Sequence, residues 1–203
     1  MIEALRHFLD CIEAGDDRRT EAAAQALVGA ADVASAVLPS LRDLLHDADA
    51  DRRWWGVRGL AAIGTGTGRE RLVGILTKEL TTALADADPG VRACAAQAAG
   101  ALRLRETIPD LVDCLADPDP LAARVAADSL SQIGAPAVPA LVAALQTGET
   151  PVRAGAARAL YLIQPEQAVS ALCEALDDPS AIVTHYASEA LEQMGVGLVL
   201  FHP

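Results

Sequence analysis

Two apolar patterns repeat together along the chain. One has its anchor residues at Leu27, Leu60, Ala99, Leu130, Leu160 and Leu191, and the other at Ile12, Leu45, Leu84, Leu115, Leu145 and Leu176. Both patterns give the same successive spacings of 33, 39, 31, 30 and 31 residues. Because two separate patterns keep the same period, the sequence predicts a structural repeat in which each unit holds two amphipathic helices, A and B.

Helix-capping residues mark the predicted turn between helices A and B. They stand four residues after each anchor of the second pattern, at Asp16, Asp49, Asp88, Asp119, Glu149 and Ser180. Side-chain oxygens of Asp and Ser accept hydrogen bonds from the free N–H groups of a helix start. In the fifth repeat, this arrangement predicts helix A over residues 138–146 and helix B over 151–163.

These patterns predict an all-α fold, a right-handed α-solenoid of about six helix pairs in a single domain. A pair of short helices cannot bury both of its apolar faces, whereas stacked pairs share a continuous core. The composition agrees, because 43 Ala and 27 Leu residues with only 3% aromatics disfavour a β fold. The predicted repeats span 1–31, 32–64, 65–104, 105–135, 136–165 and 166–195, followed by an apolar tail at 196–203.

Charge and cysteine usage narrow the expected environment. The net charge of −12 disfavours nucleic-acid binding, because phosphate backbones repel an acidic chain, and no polybasic patch suggests a membrane surface. The first residues lack the basic-then-apolar order of a signal peptide. The four cysteines show no CxxC pairing, which indicates buried, reduced thiols and a cytoplasmic protein.

Four segments resemble HEAT repeats, in the short bacterial form called phycobilisome-lyase-like: residues 51–64, 88–102, 150–163 and 179–195. The resemblance covers about residues 1–195 and implies a binding scaffold whose B helices line a concave wall. It also implies a ladder in which a turn Asp and an early helix-B Arg link neighbouring repeats. The matching residues are Asp49, Asp88, Asp119, Arg53, Arg92 and Arg153, while Ala123 and Thr184 interrupt the Arg column.

The B helices carry an unusual stripe on the face opposite their buried residues. A helix turns about 100° per residue, which puts aromatic and charged side chains at positions that an ordinary solvated face would fill with small polar ones. Tyr, Trp and Arg dominate binding hot spots, so we expect a partner to bind here. The candidate residues are Trp54, Trp55, Arg58, Arg124, Arg158, Tyr161, His185 and Glu189. For both tryptophans, packing against the neighbouring repeat is the alternative.

The main functional hypothesis is a non-enzymatic scaffold that binds another protein or a peptide. No catalytic or metal-binding motif stands out, so the sequence predicts neither a catalytic residue, a metal nor a cofactor. The resemblance leaves two alternatives, a bilin lyase or related pigment chaperone and a HEAT-like DNA glycosylase. The glycosylase is disfavoured because the stripe holds four acidic residues as well as its three Arg, so it forms no basic track for DNA. The tail at 196–203 either folds back over the last repeat or mediates self-association.

Overall fold

The computed structural model describes residues 3–28, 34–66 and 69–196. These residues hold twelve α-helices and no β-strand, which confirms the all-α class. The fifth-repeat helices match the predicted limits to within one residue. The helices are α1 (Glu3–Ala14), α2 (Asp17–Ala26), α3 (Ala34–Leu45), α4 (Ala50–Gly64), α5 (Val73–Leu84), α6 (Pro89–Ala101), α7 (Ile108–Asp113), α8 (Pro120–Ile133), α9 (Val138–Thr147), α10 (Thr150–Ile163), α11 (Val169–Glu174) and α12 (Ala181–Gln193).

The helices form six pairs, three in each of two compact units. Unit 1 is Met1–Leu102 and contains α1 to α6; unit 2 is Arg103–Pro203 and contains α7 to α12. The odd-numbered helices are the A helices and the even-numbered ones are the B helices. The handedness of the superhelix stays a prediction, and the apolar tail lies outside the described residues except for Val196.

Capping residues start the B helices at the predicted places. The carboxylates of Asp49, Asp88 and Asp119 each accept a hydrogen bond from a backbone N–H group in the first turn of α4, α6 and α8. Glu149 and Ser180 occupy the same position before α10 and α12 but make no capping bond through their side chains. The turn sequence therefore sets where each B helix begins, whether or not the residue before the helix caps it with its side chain.

Small residues let each B helix pack closely against its own repeat. One column of the B helices holds Gly56 and Ala95 in unit 1 and Ala126, Ala156 and Ala187 in unit 2, and every one of them is buried. A Cβ added to Gly56 would lie 3.1 Å from the backbone nitrogen of Leu45 in α3. The alanine-rich composition thus reflects helices in close contact, with little room for larger side chains.

Candidate binding surface on the B helices

Two adjacent tryptophans in α4 have different environments. Trp55 is buried, with 7% of its surface exposed, and its ring meets Phe8 of α1 edge-on with 6.3 Å between the ring centroids. Trp54 is half-buried and stands at 90° to Trp55, 4.7 Å away. The Trp55 ring thus packs into the core of unit 1, the alternative that the sequence left open, whereas Trp54 reaches the surface.

Arg58 lies one helical turn after Trp54 and is held in place from two sides. Its guanidinium lies over the Trp54 ring, 5.7 Å from the centroid. It also donates two hydrogen bonds to the carboxylate of Glu21 in α2, the preceding B helix; one of these joins Nε to Oε2 at 3.2 Å. Glu21 therefore balances the Arg58 charge, and the two neighbouring B helices are linked at the surface.

A groove opens beside this cluster, where α2 and α4 begin. Its volume is about 480 Å³. Asp17, Arg18, Glu21, Asp51, Trp54 and Trp55 line it. The lining combines aromatic rings with carboxylates, a composition that suits a side chain with both an apolar stem and a polar end.

Unit 2 builds a similar cluster around Arg158 of α10. Its Nε and NH2 donate to Oδ1 of Asp128 in α8 at 3.0 and 2.7 Å, and its NH1 donates to the Tyr186 hydroxyl in α12 at 3.1 Å. Although burial lowers the pKa of Arg158, these hydrogen bonds to Tyr186 and Asp128 outweigh it and raise the pKa above its ordinary value. One charged side chain thus connects three consecutive B helices.

Tyr161 extends the unit 2 cluster along the same surface. Its ring lies 5.8 Å from that of Tyr186, and its hydroxyl accepts a hydrogen bond from Gln193 Nε2 at 3.0 Å. Gln193 also bonds to Gln164. The neighbouring Leu162 is 45% exposed. An aromatic pair and an arginine therefore share one region of unit 2.

Three further candidate residues lie on the B helices: Arg124 and Glu189 outside these clusters, and His185 beside Tyr186. Arg124 and His185 are exposed, and Glu189 is half-buried. The His185 ring lies 5.4 Å from that of Tyr186. Within the described part of the chain, no group of three His, Cys, Asp or Glu side chains could hold a metal ion. The continuous surface expected from Trp54 to His185 stays a prediction.

Three members of these clusters, Glu21, Asp128 and Tyr186, are not among the candidate residues predicted from the sequence. Glu21 and Asp128 stand at stripe positions, and Tyr186 stands on its flank. The sequence does contain a signal for the two acids, because each stands on the B helix that precedes the one carrying its arginine. Pairing them requires the register between adjacent B helices, which depends on tertiary packing.

The arginine ladder uses different acids from those expected. Arg53 donates from Nε and NH2 to the two carboxylate oxygens of Asp86, at 2.7 and 2.8 Å. Arg153 contacts Asp178 in the same way, at 2.6 and 3.0 Å. Each acid lies in the turn of the following repeat, so both arginines do link neighbouring repeats.

The choice of Asp49, Asp88 and Asp119 as the acids of this ladder is therefore wrong in position. Their carboxylates face the N–H groups of their own helices, and the ladder acid stands two residues before the cap. Asp86 and Asp178 also accept a hydrogen bond from the N–H group of the capping residue. Arg92 donates to the backbone carbonyl of Asp86 at 2.9 Å.

The Arg153–Asp178 pair should make the stability of unit 2 sensitive to acid. The hydrogen bond from Arg153 lowers the pKa of Asp178 below its ordinary value. The stabilisation is thus complete above about pH 4 and is lost as the pH falls through the lowered folded-state pKa. We expect Asp178→Asn to cost about 1 kcal/mol at pH 7 and almost nothing near pH 2, measured by urea unfolding.

The matched control for this prediction is Asp177→Asn. Asp177 is exposed and lies outside the ion pair, so this variant should unfold like the wild type at both pH values. If Asp178→Asn costs the same at pH 2 as at pH 7, its effect does not come from the ionised pair.

A second groove lies at the turn edge of unit 2, away from the candidate residues of the B-helix stripe. Its volume is about 490 Å³. The corresponding place in unit 1 holds only about 20 Å³ and is lined by the buried Glu79, whose carboxylate lies 2.8 Å from Arg42. In the repeat register, unit 2 has Val142 and Ala171 at these positions. The lining residues are Leu145, Gln146, Gly148, Arg153, Ala171, Glu174, Ala175, Asp178 and Pro179.

The Cys94 thiol is buried in α6. Burial raises the pKa of the Cys94 thiol to about 12, so this thiol stays protonated at neutral pH. The four cysteines form no disulfide bond with one another.

Of the helices within 3–28, 34–66 and 69–196, none has both the length and the hydrophobicity that crossing a bilayer requires.

Family comparison agrees with the repeat architecture. The model of the family of HEAT repeats matches residues 77–160 and 109–192, together more than half of the chain. The protein belongs to the HEAT-repeat family. No curated protein matches its sequence.

Solved structures resemble the chain over most of its length. An engineered protein is 22% identical with a TM-score of 0.51, covering 97% of this chain and 98% of that one. A designed armadillo repeat protein in complex with the peptide (KR)4 is 20% identical with a TM-score of 0.54, covering 95% and 100%. The fold is thus that of HEAT and armadillo solenoids.

A natural enzyme complex is also similar. In the complex of CpcE and CpcF of phycocyanin lyase from Nostoc sp. PCC7120, the matched chain is 26% identical with a TM-score of 0.50. The match covers 78% of this chain and 65% of that chain, so this protein spans about two thirds of its length.

Proposed function

We propose that this protein is a non-enzymatic scaffold that binds a partner polypeptide on the surface of its B helices. The observation that carries the proposal is the pair of arginine–aromatic clusters, one in each unit. Trp54 and Arg58 form the first, and Arg158, Tyr161 and Tyr186 form the second. Both expose residue types that dominate protein-binding hot spots.

Hydrogen bonds within the protein hold the arginines of both clusters. Arg58 is fixed by Glu21, and Arg158 by Asp128 and Tyr186. A side chain that is already ordered loses less conformational entropy on binding, which favours affinity.

The repeat fold suits an extended polypeptide. Successive B helices present side chains at regular intervals, so a peptide lying across them meets one helix after another. The designed armadillo protein in complex with (KR)4 is an example of such a fold binding a peptide. A cytoplasmic location is part of the proposal, supported by the absence of disulfides among the four cysteines.

Truncating Trp54 or Tyr161 should weaken partner binding by about 2 kcal/mol, or roughly thirtyfold in Kd. Both side chains are half-buried, so the same variants should lower the free energy of unfolding much less than they lower the free energy of binding. The partner is first captured from an extract of the native cell with the wild-type protein. Its Kd is then measured by calorimetry for the wild type, Trp54→Ala and Tyr161→Ala.

Leu176→Ala serves as the matched control. Leu176 is 38% exposed and lies in the turn after α11, outside the B helices. This variant should bind the partner like the wild type. Equal affinity of all four proteins would contradict the proposed surface.

A bilin lyase or pigment chaperone is the second candidate function, favoured by the similarity to the CpcE and CpcF complex. Incubation with a bilin and an apo-phycobiliprotein separates the two functions. The scaffold proposal expects no transfer of bilin absorbance to the acceptor protein. Transfer that requires this protein would establish the lyase instead.

A further inference from the structure

We infer that the groove beside Trp54 takes a basic side chain, arginine or lysine, from the partner polypeptide. This inference rests on the proposed function and adds the chemical class of the partner segment. The groove lies entirely within unit 1, between the beginnings of α2 and α4. It is large enough, at about 480 Å³, for a long side chain to enter.

The charges around the groove decide which side chain fits. Its carboxylates are those of Asp17, Glu21 and Asp51, and the guanidiniums that face them belong to Arg18 and Arg58. Glu21 and Arg58 neutralise each other. Two carboxylates and one exposed arginine remain, so the groove carries an excess of negative charge within a chain of net charge −12.

The helix dipoles do not reverse this balance. The N-termini of α2 and α4 each contribute about half a positive charge, and that charge would favour an anion. The capping carboxylates of Asp16 and Asp49 already face these N-termini, and each accepts a hydrogen bond from a backbone N–H group there. Asp17 and Asp51, which are exposed and one or two residues further on, are left to interact with a partner.

The aromatic wall supplies the second part of the recognition. Arg and Lys side chains bury an apolar stem while their charged ends stay near water or a carboxylate. Trp54 offers an indole surface for that stem, and its ring already holds one guanidinium, that of Arg58. A cation that enters the groove thus meets an indole wall and unneutralised carboxylates together, whereas an acidic side chain meets repulsion.

The two tryptophans make the groove directly observable. Trp54 and Trp55 are the only tryptophans of the chain, and both line this groove. The intrinsic tryptophan fluorescence of the full-length protein therefore reports on this place alone. The probe is the peptide (Lys-Arg)4, and the peptide (Asp-Glu)4 of the same length is the charge-reversed comparison.

We expect (Lys-Arg)4 to change the tryptophan fluorescence saturably and (Asp-Glu)4 to leave it unchanged. Asp17→Asn combined with Asp51→Asn should weaken (Lys-Arg)4 binding by about tenfold, since each removed carboxylate contributes a partly solvated ion pair. Raising the salt concentration from 50 to 300 mM should weaken binding to the wild type more than to this double variant.

The matched control is Asp43→Asn combined with Asp113→Asn. Both residues are exposed and lie on the A helices α3 and α7, and this variant loses the same total charge. It should keep (Lys-Arg)4 affinity within about twofold of the wild type, because distant solvated charges are screened. Equal weakening in the two double variants would overturn the inference, because the peptide would then respond only to net charge. The absence of any saturable fluorescence change would also overturn it.

The natural partner separates this inference from the proposed function. If (Lys-Arg)4 fails but Trp54→Ala still loses the natural partner, the B-helix surface binds polypeptides and only the basic character of the bound segment is wrong. If Trp54→Ala and Tyr161→Ala both keep full affinity for the natural partner, the proposed function itself fails.

Discussion

Trp55→Ala should lower the free energy of unfolding by about 3–5 kcal/mol, the usual cost of removing a buried aromatic side chain. Trp55 packs its ring against Phe8 of α1 and is 7% exposed. Its removal leaves a cavity between the first two helix pairs. Urea unfolding followed by circular dichroism measures the loss, and hydrogen exchange should show it in unit 1.

The neighbouring tryptophan supplies the matched control. Trp54→Ala removes the same side chain from a half-buried position and should cost about 1 kcal/mol or less, in line with a surface substitution. Equal destabilisation by the two variants would show that both indoles belong to the core, and the B-helix surface of unit 1 would then lose its main anchor.

Gly56→Ala should destabilise the protein by about 1–3 kcal/mol, the typical cost of adding a methyl group to a close-packed contact. The new Cβ would lie 3.1 Å from Leu44 Cβ, 3.1 Å from Leu45 N and 3.3 Å from Leu41 O. Two of these are backbone atoms of α3, so the clash is relieved only by moving one helix away from the other. Chemical denaturation gives the change in free energy.

Glycine to alanine at position 74 should have the opposite effect on stability. A Cβ added to Gly74, an exposed residue in the first turn of α5, meets no atom within 4 Å. Gly74→Ala should therefore stabilise the protein by up to about 0.5–1 kcal/mol, because alanine loses less conformational freedom in a helix. Destabilisation by Gly74→Ala, or none by Gly56→Ala, would contradict the packing described for α3 and α4.

The repeat could be predicted from sequence because its determinants are local. Apolar spacing and turn residues act within a few positions, and they predicted the helix limits of the fifth repeat to within one residue. Gly134 illustrates this, since it directly follows α8 with a backbone φ of 79°, a conformation that favours glycine.

The site was predicted less well because its geometry depends on the neighbouring repeat. Trp54 and Trp55 differ by one position, and Phe8, in another repeat, decides which of them is buried. The ladder acid lies two residues before the expected one, because the expected carboxylate is already engaged by its own helix. Sequence periodicity predicts which face of a helix a residue occupies, but it does not give the register between neighbouring helices.

Hydroxyl-radical footprinting of the complex with the captured partner tests the central claim most directly, because Trp, Tyr and His side chains on the B-helix surface are reactive. Partner binding should reduce the oxidation of Trp54, Tyr161 and His185. The exposed His7 in α1 and His46 after α3 should be oxidised as in the free protein. Protection of His7 and His46 with unchanged oxidation of Trp54 and Tyr161 would contradict the account.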